Sequence, residues 1–246
     1  MLPALRPLLA AFSIAISVFA PMMAAAKDNG GVIVFGGTGR LGVDIVRLLV
    51  DAGEDVTVFS RTGDAGKHFK DMKVRIAVGD LLDDASIGKA FDARSYRVAI
   101  DAAAQRTEIR LPDFYEKVTR SIVRHAKRTG VKHFISHGSI GAGDNHKMVP
   151  ALASYPQTAA LIDKGKAEAL IIAGGVPYTI IRNGVLPNTE PLPPATHKAG
   201  LTVDYTTFSA ITRADLAILT LDCIDNPARL NRIYHAIDAT LPIPTE

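Results

Sequence analysis

The stretch Val32-Ile33-Val34-Phe35 followed by Gly36-Gly37-Thr38-Gly39-Arg40-Leu41-Gly42 constrains the fold more than any other part of this 246-residue chain. Four apolar residues in a row, without polar alternation, suit a strand buried on both faces of a parallel sheet. The glycines have the spacing G-x-x-G-x-x-G and open onto a helical pattern over 41–50, with Ile45, Leu48 and Leu49 on one stripe and Gly53 ending it. Gly36 permits a tight turn, Gly39 lets backbone N–H groups approach a pyrophosphate, and Gly42 lets the helix pack close to the sheet. The N-terminus of that helix offers unpaired N–H donors and partial positive charge. The motif points to dinucleotide binding by residues Gly36, Gly37, Thr38, Gly39, Arg40, Leu41 and Gly42. The alternative is a glycine turn that only joins strand to helix.

Strand and helix patterns then alternate along the chain. Strands are expected at 56–59, 74–78, 97–100, 131–136, 178–182 and 232–237, and helices at 84–91, 113–129, 157–173 and 212–224. Parallel neighbours need crossover connections, so this order predicts one α/β domain with a doubly wound parallel sheet. An irregular stretch carries Pro187, Pro191, Pro193 and Pro194 and extends to about Phe208. A loop that long in a compact domain suits a substrate lid, here placed around 187–210.

The first 26 residues are a separate object. One charge at Arg6, the apolar run Leu8–Ala20 and small residues Ala24-Ala25-Ala26 describe an export signal, with an uncleaved membrane anchor as the alternative. The expected domain is therefore 27–246, exported to the periplasm or outside. The remaining chemistry is narrow. With 28 basic against 25 acidic side chains there is no nucleic-acid footprint. A single cysteine, Cys223, excludes an internal disulfide, and the seven histidines show no metal-ligand spacing, so no metal is expected.

Cofactor choice is legible after the second strand. Ser60-Arg61-Thr62 has no carboxylate to pair with an adenosine 2′-hydroxyl, and the Arg61 fork suits a 2′-phosphate, with Arg40 able to approach from the other side. NADP(H) is expected in preference to NAD(H). Asp80, after the third strand, is a candidate adenine contact or a cap for the helix that follows.

With these residues in view, the chain resembles the NmrA-like, atypical branch of the short-chain dehydrogenase/reductases. The resemblance rests on GGTGRLG at 36–42, FSR at 59–61, VGDL at 78–81, GVKHFISHGSIG at 130–141, KGKAEALIIAGGVPYTIIRNG at 164–184 and ITRADLA at 211–217. It covers about residues 31–238. It implies a Rossmann-type fold with a small C-terminal substrate region, NADP(H) binding, and either reduction of a small substrate or cofactor sensing without turnover.

The resemblance also frames catalysis. Better-known members of the superfamily place a Tyr four residues before a Lys, on one helical face. Here position 160, four before Lys164, is Ala, and Tyr155 is followed at that offset by Ala159. Lys164 matches the family lysine and is expected at the nicotinamide ribose, with Lys166 as fallback. Tyr155, His137, His146 or water would supply a proton. Ser136 and Ser139 follow the fifth strand at the carboxyl edge, as candidate cofactor and catalytic hydroxyls. Arg213 and Asp215 are candidates to dock the lid through a charge pair, with an ordinary helix-start pair as the alternative. The expected partner is a small-molecule substrate, with no nucleic acid, no membrane contact beyond the leader, and a monomer or homodimer. The function expected is an NADPH-dependent oxidoreductase; the alternatives are a non-catalytic NADP(H) sensor or assembly factor and a nucleotide-sugar epimerase-like enzyme.

Overall fold

Alternate residues of each central strand pack into opposite layers, which explains why these strands carry no polar alternation. In the computed structural model, which describes residues 30–105 and 110–242, Ile33 and Phe35 enter one core and Val32 and Val34 the other. The expected leader lies outside the described residues. All four side chains are fully buried, each contributing about 1.5–3 kcal/mol by removal from water.

The sheet has eight strands: β1 (Gly31–Phe35), β2 (Val56–Ser60), β3 (Val74–Val78), β4 (Tyr96–Asp101), β5 (His133–Ser139), β6 (Tyr178–Asn183), β7 (Gly200–Thr202) and β8 (Arg232–Ile237). Their order is β3-β2-β1-β4-β5-β6-β8-β7, parallel throughout except for β7, which pairs antiparallel with β8. The helices are α1 (Arg40–Asp51), α2 (Asp84–Asp92), α3 (Phe114–Thr129), α4 (Asn145–Met148), α5 (Pro150–Ala153), α6 (Ala159–Ala173) and α7 (Arg213–Cys223). Side chains of α2, α3 and α6 (Phe91, Ile122, Ile171) share a core with Phe35 and Phe134. Those of α1 and α7 (Ile45, Leu49, Leu216) share the other with Val34 and Ile135. This is a Rossmann-type doubly wound α/β fold. Strand order reverses between β1 and β4, and such reversals open a ligand crevice at the carboxyl ends of the strands.

Three local features differ from the sequence reading. β7 lies inside the stretch read as irregular; three edge residues leave too little pattern to detect. The short helices α4 and α5 follow Gly141 and Gly143, both in the left-handed region. β5 runs to Ser139, three residues beyond expectation, because its outer half pairs with β6 through His137, Gly138 and Ser139. Cys223 is fully buried at the end of α7, as a core residue. No helix among the described residues is long and apolar enough to cross a membrane.

Candidate active site

The geometry of the glycine turn shows why Gly36 and Gly42 are needed. Gly36 has φ +76°, and a Cβ there would lie 2.6 Å from the Ala102–Ala103 backbone that follows β4. A Cβ on Gly42 would stand 2.1 Å from the Gly36 carbonyl oxygen and 2.6 Å from the Gly37 Cα, so α1 packs directly on the turn. Gly39 is the N-cap of α1 and brings no side-chain cap. The first helical bond runs from the Val43 N–H to the Gly39 carbonyl (2.9 Å), which leaves the N–H groups of Arg40, Leu41 and Gly42 ahead of it at the helix mouth. Gly39 and Arg40 are exposed, and Thr38 is half-buried. These donors, at a helix N-terminus and at the strand-order reversal, fit a pyrophosphate.

At the adenosine side, Arg61 is exposed immediately after β2, with no acid at positions 60–62. Arg40 turns elsewhere: its guanidinium reaches Asn188 Oδ1 (3.4 Å) and Glu190 (2.9 Å) on the proline-bearing segment. Asp80 is exposed, and its Oδ1 accepts the Leu82 N–H at 2.9 Å. The N-cap of α2 is Asp83, so Asp80 shapes the turn before the helix instead of capping it.

Across the carboxyl edge the structure brings together residues from four elements. Lys164 of α6 donates through Nζ to Ser139 Oγ at the end of β5, at 2.6 Å. The same Nζ lies 4.9 Å from the ring centroid of Tyr115, the second residue of α3. Asp101 ends β4, buried, with Oδ1 accepting the Ala103 N–H at 3.0 Å. Burial pushes the Asp101 carboxyl up to about 6, opposed by that N–H and by the Lys164 charge. Burial pushes the Lys164 ammonium down to about 8, opposed by Glu168 and Asp101. Ser136 is buried beside Asp101 in the β4–β5 register. Tyr155 stands 69% exposed after α5. Tyr115 and Asp101 escaped the sequence reading. Tyr115 is 49 positions from Lys164, and only the packing of α3 on α6 joins them. Asp101 carried one signal, an acid directly after the apolar run Val98-Ala99-Ile100.

The histidines are differently disposed. His137 Nε2 lies 3.1 Å from Thr220 Oγ1, whose own proton goes to the Leu216 carbonyl, so the ring donates from Nε2. Burial and the Lys164 charge push it down to about 3, which makes it a neutral ring at ordinary pH. His146 is buried in α4. Lys166, the fallback lysine, points away to Asp113 (2.9 Å) and Glu116 (3.4 Å) at the start of α3. Beneath the edge, Glu168 and Arg182 form a buried pair at 2.6 Å, and a Cβ on Gly138 would meet Glu168 Oε1 at 2.8 Å.

The segment after β6 is a strap held at both feet by the start of α7. Arg213 donates to the Pro187 carbonyl and to Asn188 Oδ1 (2.6 Å). Asp215 accepts the backbone N–H groups of Thr196 (2.8 Å) and His197 (2.9 Å), and the Thr212 hydroxyl (2.7 Å). The two residues therefore dock opposite ends of the strap instead of pairing with each other. Farther on, Tyr205 donates its hydroxyl to the Ile233 carbonyl (3.0 Å) and its ring lies 5.9 Å from the Arg182 guanidinium carbon.

Residues 36–227 match the profile of the NAD(P)H-binding family. The chain belongs to that family, within the atypical short-chain dehydrogenase/reductases. Among curated relatives it is 27% identical over 228 residues to TIC 62 of the Pisum sativum chloroplast, covering 84% of this chain and 42% of that protein. It is 25% identical over 231 residues to isoflavone reductase homolog P3 of Arabidopsis thaliana, covering 85% and 69%. The chain thus spans less than half the length of the first and about two thirds of the second. Among solved structures, the anaerobillin reductase ChuY from Escherichia coli O157:H7 superposes with a TM-score of 0.74 at 22% identity, covering 87% of this chain and all of that one. That likeness is one of fold. The family is oxidoreductase in type and binds a nicotinamide cofactor.

Proposed function

We propose that this protein is an NADPH-dependent reductase of a small organic substrate. The observation that carries the reading is the Lys164–Ser139 contact at 2.6 Å, a half-buried ammonium aimed at a hydroxyl on the same carboxyl edge as the glycine turn.

The bound dihydronicotinamide supplies hydride. The N–H groups at the start of α1 hold the pyrophosphate, and Arg61 takes the 2′-phosphate. Lys164 orients the ribose and keeps Ser139 turned toward a substrate oxygen. The strap, tied to Arg40 and Arg213, shields the crevice from water. The partner is then a small molecule, bound by a monomer or homodimer, and the apolar leader carries the chain out of the cytoplasm. The sensor reading draws support from one observation, the Ala at position 160 where a tyrosine would precede Lys164.

NADPH oxidation by purified protein, followed across a panel of aldehydes, ketones and quinones, separates the two. Turnover of at least one compound is expected; tight NADPH binding with no turnover on any of them supports the sensor. Arg61→Asp is expected to weaken NADPH binding by about 10- to 100-fold, through loss of a charge-assisted pair and gain of a repulsion, and to leave NADH binding nearly unchanged. Equal losses for both cofactors would remove Arg61 from the 2′-phosphate.

A further inference from the structure

α6 carries no tyrosine, yet a tyrosine stands against its lysine. The first turn of α3 is bolted onto α6 by three acids and one lysine. The buried Asp163 carboxylate accepts the N–H groups of Tyr115 (2.8 Å) and Glu116 (3.1 Å), and Lys166 pairs with Asp113 (2.9 Å) and Glu116 (3.4 Å). These carboxylate oxygens lie within 4.8 Å of one another, and their work here is helix docking. The consequence falls on the residue between the two bolts. Lys164, next to Asp163, is carried to 4.9 Å from the Tyr115 ring centroid while it reaches Ser139.

We propose that the Tyr115 hydroxyl is the group that protonates the substrate, a role that rests on the reductase reading above. The phenolic oxygen accepts the Gln105 N–H (3.4 Å) on the loop leaving β4, and among the described residues no acceptor takes its proton. Burial holds the phenol above its ordinary range, and the Asp101 and Asp163 carboxylates act in the same direction, so it carries its proton at neutral pH. Other donors are less suitable. Tyr155 is exposed, the His137 N–H is tied to Thr220, and an aliphatic hydroxyl such as Ser139 is a weaker acid than a phenol. In the step, the substrate carbonyl carbon gains hydride from the dihydronicotinamide and the π pair moves onto oxygen. That oxygen forms its new O–H bond as the Tyr115 O–H bond breaks. The phenolate regains its proton from water, and the Lys164 ammonium 4.9 Å from the ring centroid steadies its negative charge.

The test is Tyr115→Phe, which keeps the ring against Lys164 and removes only the hydroxyl. Reduction of an aromatic aldehyde by NADPH and fluorescence titration with NADPH are measured on both proteins. The expected result is a loss in kcat of about 100-fold or more with NADPH affinity within about twofold of the parent. A kcat within about threefold of the parent overturns the proposal and leaves Tyr115 a support for Lys164. So does a parallel loss of NADPH affinity, which makes it a cofactor contact. A parent protein that binds NADPH and reduces neither the aldehyde nor a quinone overturns the reductase reading, and this proposal with it, whatever Tyr115→Phe does.

Discussion

Gly42→Ala is expected to abolish useful nucleotide binding, weakening NADPH affinity by about 100-fold or more, and to lower stability by about 1–3 kcal/mol. The added methyl would stand 2.1 Å from the Gly36 carbonyl oxygen and 2.6 Å from the Gly37 Cα, both backbone atoms with no rotamer to escape into. α1 must therefore move off the turn, and its first N–H groups move with it. For a domain of this size, each kcal/mol corresponds to a fall of roughly 2–4 °C in melting temperature. Gly66→Ala is the control: nothing lies within 4 Å of a Cβ there, and its backbone is outside the left-handed region. Calorimetric titration and thermal melts of the two variants check this. Parent-like NADPH affinity in Gly42→Ala would show that the turn does not hold the cofactor.

Lys164→Met is expected to lower kcat for aldehyde reduction by about 100- to 1,000-fold while NADPH affinity falls by no more than about tenfold, since the pyrophosphate contacts remain. Its effect on stability has an unusual sign. Burial places the Lys164 ammonium at about 8, below the ordinary lysine value, so the folded protein penalises the charge. Between that value and the ordinary one the unfolded chain binds more protons, and stability rises with pH across this window. Below it the penalty is fully present, so the methionine variant melts no lower than the parent at pH 7. The parent's rate, where it depends on the ammonium, is flat below about pH 8 and declines above it. A Lys164→Met protein with parent-like turnover, or an activity that rises steadily through pH 8–9, would remove the ammonium from the chemistry.

The fold was legible because its strands are buried on both faces. Val32–Phe35 reads as an apolar run without alternation, and the two cores its side chains fill explain the pattern. β7 was not legible, being three residues on an edge. The site was legible where function depends on local spacing. The glycine turn lies on one stretch and Ser139 follows a strand, whereas Lys164 and the ITRADLA segment were singled out by the family resemblance. It was not legible where function depends on docking. Nothing near Tyr115 announces that Asp163 will capture its N–H, and so nothing in the sequence sets it against Lys164 in place of Tyr155. Arg40 shows the same limit: its place in the turn suggested a phosphate, whereas the structure turns it to the strap at Asn188 and Glu190.

Isothermal titration of the purified protein with NADPH, NADP⁺ and NADH tests the account most directly, because every catalytic statement presumes a nucleotide at the α1 mouth. Saturable heat at one site is expected for NADPH and NADP⁺, which carry the 2′-phosphate, tighter than for NADH and accompanied by a rise in melting temperature. Absence of heat and of any thermal shift with all three would contradict it.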